Sequence, residues 1–242
     1  MKIAFISDIH ANLEALESVL RDIEKQGAEK IHFLGDAVGY GCNPNECVKL
    51  IEKHCDIKLL GNHDYAAMGL ESTEHFNHLA QASIEWTQEK LKDKTIRILS
   101  DFDMEADFID YYMVHSSPSE PEKWLYILNA EQAAQNFSFF TQSVCFVGHS
   151  HYPTVFISDG HGNVRERPGE SMICEPGARY IINIGSVGQP RDNDPRSSYL
   201  IADTDENKMS FRRVEYDIKK TQNKMKKASL PGFLIERLSS GV

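Results

Sequence analysis

The chain has 242 residues, 41% of them apolar and 26% charged, with a net charge of −10. That is the composition of an ordinary soluble globular protein with a sizeable core, and it excludes nucleic-acid binding through a broad basic surface. The apolar start "MKIAFISDIHANL" is broken by Asp8, too early for a signal peptide, and no apolar run is long enough to span a bilayer.

The first 64 residues predict strand, helix, strand, helix, strand. "KIAFIS" (2–7) is a buried strand, and "NLEALESVLRDIEKQG" (12–27) an amphipathic helix with Gly27 near its stop. "KIHFLGD" (30–36) is a second strand, "PNECVKLIEKH" (44–54) a helix with Pro44 near its start, and "IKLLGNHD" (57–64) a third strand. Such alternation predicts α/β layers with right-handed crossovers. Residues from about 65 to 110 read as a helical insertion, with "STEHFNHLAQASIEWTQEKLKDK" capped near Ser72 or Thr73. "DFIDYYMVHSS" returns to strand, "NAEQAAQNF" is a short helix, and "SVCFVGHSH" is strand again. Short strands with turn signals such as Asp159-Gly160 fill 154–217, and a basic helix followed by a last short one closes the chain. The expectation is one domain over 1–242. The five cysteines show no CxxC spacing and are odd in number, which points to a reducing cytoplasm rather than a disulfide framework.

Polar residues collect at strand ends. The first strand runs into Asp8 and His10, the second into Asp36, the third into Asn62, His63 and Asp64, and later strands into His115 and into His149 and His151. Carboxyl ends of strands form the binding edge of α/β sheets. Burying such a set without ions would leave unpaired carboxylates and imidazoles, at several kcal/mol each in the worst cases. His32, His54, His75, His78 and His161 fall outside this pattern and read as surface or hydrogen-bonded residues.

"DIH", "GD", "GNHD", a lone strand-end His and "GHSH" occur in the order of the five motifs of the calcineurin-like metallophosphoesterases. The chain resembles the compact prokaryotic branch of that family, which also carries segments like "GDAVGYG" (35–41) and "GSVGQPRD" (185–192). The resemblance implies a two-sheet β-sandwich flanked by helices. It also implies a site for two divalent transition-metal ions (Mn, Fe, Zn or Ni), suited to mixed nitrogen and oxygen ligands. One ion would take Asp8, His10, Asp36 and His151, and the other Asp36, Asn62, His115 and His149. Asp36 would bridge, sharing its two oxygens between ions about 3.5–4 Å apart.

The activity implied is hydrolysis of a small phosphorylated substrate, a phosphodiester or nucleotide, by hydroxide attack on phosphorus. His63 would protonate the leaving oxygen or hydrogen-bond to the phosphate. Asp64 either orients His63 or caps local backbone. Protein Ser/Thr phosphatases of the superfamily carry "GDxVDRG"; here Gly39 and Tyr40 replace the Asp-Arg pair, which argues against a phosphoprotein phosphatase and against a symmetrical dinucleoside tetraphosphatase. Arg191, and more weakly Arg196, are candidates to grip phosphate unless a nearby Asp holds them. Trp124 and Tyr126 offer rings that either stack on a base or pack in the core. An asymmetrical dinucleoside polyphosphatase, a broad-range phosphatase, and a non-enzymatic scaffold of this fold are the alternatives. No nucleic-acid complex or membrane association is expected.

Overall fold

The computed structural model describes residues 1–242, except for the side chain of His75, so the reading of that histidine lies outside the described residues. Twelve strands run in chain order as β1 Lys2–Ile6, β2 Lys30–Phe33, β3 Ile57–Lys58, β4 Glu105–Phe108, β5 Tyr111–Val114, β6 Val144–Val147, β7 Thr154–Ser158, β8 Val164–Pro168, β9 Met172–Ile173, β10 Arg179–Asn183, β11 Ser197–Asp203 and β12 Lys208–Val214. The helices are α1 Leu13–Gln26, α2 Pro44–His54, α3 Asn62–Ala67, α4 His78–Lys90, α5 Asp93–Ser100, α6 Ala130–Asn136, α7 Ile218–Lys227 and α8 Gly232–Glu236. One sheet has the order β3-β2-β1-β11-β12-β9 and the other β4-β5-β6-β10-β7-β8. The two face each other, with helices outside: the expected two-sheet sandwich. Among the described residues no helix is long and apolar enough to cross a membrane.

Alternation along β1 explains the layering. Ile3 and Phe5 point between the sheets, where Phe5 stacks on Phe146 with ring centroids 4.0 Å apart. Ala4 and Ile6 point the other way and meet Leu16 and Val19 of α1 and Val48 of α2. On the far side, Val114, Cys145, Val147 and Ile181 pack against Ala133 and Phe137 at α6. The start and stop signals of α1 work as local chemistry dictates. Asn12 accepts the Ala15 N–H, and Gly27, at φ +70°, closes the last turn.

Three expectations need correction. The third strand pairs over only Ile57 and Lys58; Leu60 then donates to the Asp103 carbonyl, and Asp64 accepts the Gly61 N–H, so Asn62 opens a helix instead. Asn77, not Ser72 or Thr73, caps the long insertion helix, accepting from Leu79 and Ala80; Ser72 caps only a single 3-10 turn. His32 is neither exposed nor hydrogen-bonded. It is buried between Phe5 and Phe108, both ring nitrogens lack partners, and burial lowers its pKa to about 4.

Candidate metal centre

Asp8, His10, Asp36, Asn62, His115, His149 and His151 all follow carboxyl ends of β1, β2, β3, β5 and β6, and all are buried. Of these, Asp8, His10, Asp36, His149 and His151 have positive φ, between 48° and 66°. Non-glycine residues adopt that conformation at a cost of roughly 1–3 kcal/mol each. The chain turns sharply after each strand, and the turn is what aims successive side chains into one small volume.

The hydrogen bonds fix which nitrogen of each ring carries the proton, because a carbonyl can only accept. His10 Nδ1–H donates to the Val38 carbonyl at 3.0 Å, His151 Nδ1–H to Gln189 at 2.6 Å, and His115 Nδ1–H to Leu34 at 2.8 Å. In the neutral rings their Nε2 atoms then bear the lone pairs. His149 is turned the other way: its Nε2–H donates to the Trp124 carbonyl at 2.8 Å, leaving Nδ1 as the base. Trp124 has φ +53°, which turns that carbonyl inward.

The lone pairs converge. His10 Nε2 and His151 Nε2 are 3.0 Å apart, and His151 Nε2 is 3.2 Å from Asp8 Oδ1. Asp36 Oδ2 lies 3.6 Å from His10 Nε2 and 3.4 Å from His115 Nε2. His115 Nε2 and Asn62 Oδ1 are buried without any hydrogen-bond partner. Bases facing bases at these distances repel unless a cation sits among them, so the donor set fits divalent ions. Two groups emerge, Asp8 with His10, Asp36 and His151, and Asp36 with His115 and His149, each with its ligand atoms within 4.8 Å. Asp36 belongs to both. Its Oδ2 faces both His10 and His115, while Oδ1 accepts the His63 N–H at 2.9 Å.

Burial penalises charge throughout the cluster. It pulls His63 down to about 4 and His149 to about 3, against the opposing pull of Asp36. His115 goes the other way, to about 9: burial is the largest effect, but the charges of Asp36 and Asp8, the contact with Asp36 and the Leu34 carbonyl together outweigh it. Without an ion its Nε2 therefore carries a proton toward Asp36, where a metal ion would otherwise sit.

Gly61 sits where a Cβ would overlap Asp36 Oδ1, and a Cβ on Gly39, at φ +84°, would overlap His63 Nδ1. Both glycines are needed for close approach. Asp64 is a backbone cap: its carboxylate accepts the N–H groups of Asp36, Ala37, Val38 and Gly61. It ties the second strand end to the third.

The calcineurin-like phosphoesterase superfamily domain matches residues 1–207. The chain belongs to that superfamily. It is 42% identical to an uncharacterised protein of Methanocaldococcus jannaschii over 99% of this chain and 98% of the relative. A metallophosphoesterase from Sphaerobacter thermophilus is also 42% identical and superposes with a TM-score of 0.88, covering 100% of this chain and 99% of its own. A hypothetical protein from Pyrococcus horikoshii shares the fold at 20% identity, with a TM-score of 0.78 and coverage of 100% and 98%. Residues 208–242 lie outside the matched domain.

For this member of the superfamily, the structure separates the candidate substrate residues. Asp192 is taken by Arg213 and Asp194 by Arg196. Arg191 is left without a carboxylate among the described residues; its Nη2 is 3.1 Å from Gln189 Oε1 and 3.5 Å from Tyr40 Oη, and its Nε is buried without a partner. Arg196 is an exposed ion pair and drops out. Trp124 is 9% exposed and packs, its indole N–H donating to Glu71 Oε2 at 2.8 Å. Tyr126 is 46% exposed and stacks on His149 at 4.0 Å, so it is no core residue.

Sequence reasoning missed Tyr40, Phe76 and Arg237. Tyr40 lies 4.6 Å from His10 and 4.5 Å from His63, ring to ring, and Phe76 stands edge-on to His63 at 5.3 Å. Tyr40 also joins the tail, packing with Met225, Leu230, Leu234 and Leu238. Arg237 lies in that tail, where burial and the charge of Arg191 lower its pKa to about 10. The substitution of Tyr for Arg in "GDAVGYG" was the one signal available.

Proposed function

We propose that the protein is a dinuclear-metal phosphoesterase acting on a small phosphorylated molecule, with phosphodiesters or nucleotides favoured over phosphoproteins. The observation that carries this reading is the pair of His10 and His151 Nε2 lone pairs facing each other at 3.0 Å, with both Nδ1 protons committed to carbonyls. Asp8, His10, Asp36 and His151 would hold one ion, and Asp36, Asn62, His115 and His149 the other. Bound there, two divalent ions such as Mn, Fe, Zn or Ni supply charge neutralisation at phosphoryl oxygens and acidify water.

The remaining roles belong to the chain. His63 is not among the ligands; it lines the cleft beside them and donates an N–H toward the leaving-group oxygen. Its ring is held by Tyr40 and Phe76 rather than by a carboxylate. Arg191, free of acidic partners, grips a non-bridging phosphate oxygen and is steered by Gln189 and Tyr40. Gly39 and Tyr40 in place of an Asp-Arg pair support the preference against phosphoproteins. The five cysteines, all unpaired, fit a reducing cytoplasm.

The reading is tested with bis-p-nitrophenyl phosphate and p-nitrophenyl phosphate on metal-stripped protein, before and after addition of Mn, beside His63→Ala. Turnover restored by Mn, lost in His63→Ala and faster on the diester is the expected result. No turnover with Mn, Fe, Zn or Ni, despite two bound ions, would instead favour a scaffold.

A further inference from the structure

Beside His63 a cleft of about 270 Å³ opens between the Glu71–Ala80 segment and Lys123–Tyr126. Asn62, His63 and His149 form its inner end, and Tyr40, Phe76, Trp124 and Tyr126 its walls. We propose that this cleft is a nucleoside subsite, taking the base and sugar of a nucleotide whose phosphate lies on the metal centre. The inference rests on the phosphoesterase reading above and names the leaving group.

Position comes first. A molecule with its phosphorus between the ligand groups and its leaving oxygen at His63 extends into this cleft, because His63 lines it. Size comes second. The volume lies just below the usual range of small-molecule sites, roughly 300–1,000 Å³, which suits a single nucleoside in a cleft open to solvent.

The walls then select what enters. His149 covers one face of the Tyr126 ring at 4.0 Å and 19°, and the ring is still 46% exposed. A flat partner can lie on the open face, as bases do on aromatic platforms. Phe76, edge-on to His63, supplies a second apolar surface.

The rim is polar in a way that suits a base edge. Asn77 spends its side-chain oxygen on the Leu79 and Ala80 N–H groups, which leaves its amide hydrogens as donors. Glu71 spends Oε2 on the Trp124 indole, which leaves Oε1 as an acceptor. A donor and an acceptor on one rim are the groups that the edge of a nucleobase pairs with. A simple phenyl ester would satisfy neither.

The test compares adenosine 5′-monophosphate, ribose 5-phosphate and phenyl phosphate on the Mn-loaded protein. Two readouts are taken: inhibition constants against bis-p-nitrophenyl phosphate hydrolysis, and quenching of tryptophan fluorescence, to which Trp124 contributes from the cleft wall. The nucleotide should bind about tenfold or more tighter than either competitor, the size expected for base stacking. Tyr126→Ala should bring it down to the level of ribose 5-phosphate while leaving ribose 5-phosphate itself unchanged. Tyr126→Leu, which keeps an apolar side chain at this exposed position but no flat face, repeats the comparison if Tyr126→Ala fails to fold. Equal binding of nucleotide and sugar phosphate, tighter binding of phenyl phosphate, or a uniform loss for all three ligands would overturn the subsite. If the reporter is not hydrolysed with any metal, the phosphoesterase reading fails, and the fluorescence comparison still decides the subsite.

Discussion

The same strands build two unlike regions. Between the sheets, Phe5, Phe146, Ile182 and Leu200 are fully buried and apolar on regular strands. A few residues further along, past the carboxyl ends, Asp8, Asp36, His149 and His151 are just as buried, but polar and in a left-handed backbone conformation. The first region holds the molecule together. The second stores strain and unpaired lone pairs that only a ligand relieves. The sandwich must therefore be stable enough to carry an edge that opposes folding until ions bind.

Asp36→Asn breaks the comparison hardest. It removes the negative charge that both ligand groups share, replacing one oxygen with an amide nitrogen, and should lower kcat/KM by about a thousandfold or more. Thermal melting of stripped protein should fall as well, because Asn leaves the buried His115 charge without its partner. A metal-free variant as stable as the wild type would mean that Asp36 and His115 form no ion pair in the stripped protein.

Phe146→Ala probes the other region. Losing a ring stacked on Phe5 at 4.0 Å should cost about 3–5 kcal/mol in urea unfolding, while any protein that remains folded keeps its metal content.

His32 sharpens the contrast, being a titratable group within the apolar layer. Its pKa falls from 6.5 to about 4 on folding, chiefly through burial. Above pH 6.5 it is neutral in both states and costs nothing in protonation. As pH drops from 6.5 toward 4, the unfolded chain takes up a proton that the folded chain refuses, so stability is lost across that window, by up to about 3 kcal/mol. Metal-free His32→Phe should lose correspondingly less stability than metal-free wild type between pH 7 and pH 4.5. Parallel acid limbs would show that His32 is accessible to protons in the fold.

Gly39→Ala should cost about 2–4 kcal/mol, for a side chain at φ +84° that also overlaps the buried His63 ring. Its Cβ would displace His63, so kcat should fall with metal content intact. An unchanged kcat would remove His63 from the reaction.

Much of this was legible in the residues. Alternating apolar runs revealed the strands, and the chemistry at their ends pointed to the buried Asp/His cluster, since an Asp or His after a buried strand has few benign fates. What was hidden runs through the backbone. The Trp124 and Gln189 carbonyls choose the histidine tautomers, and a carbonyl leaves no mark in a sequence. The short β3 was hidden for a related reason: Asp64 reads as an acid beside His63, yet its hydrogen bonds to four backbone N–H groups are what turn the chain into a helix at Asn62. Arg191 could not be told from Arg196 until Arg213, distant in sequence, was seen to claim Asp192.

The measurement that bears most directly on the account is the number of divalent ions bound per chain, read by elemental analysis after loading stripped protein with Mn and dialysing. Two equivalents in the wild type, falling to one or none in Asp36→Asn, is the result predicted by a single oxygen serving both ligand groups. One equivalent in the wild type, or two retained in Asp36→Asn, would contradict it.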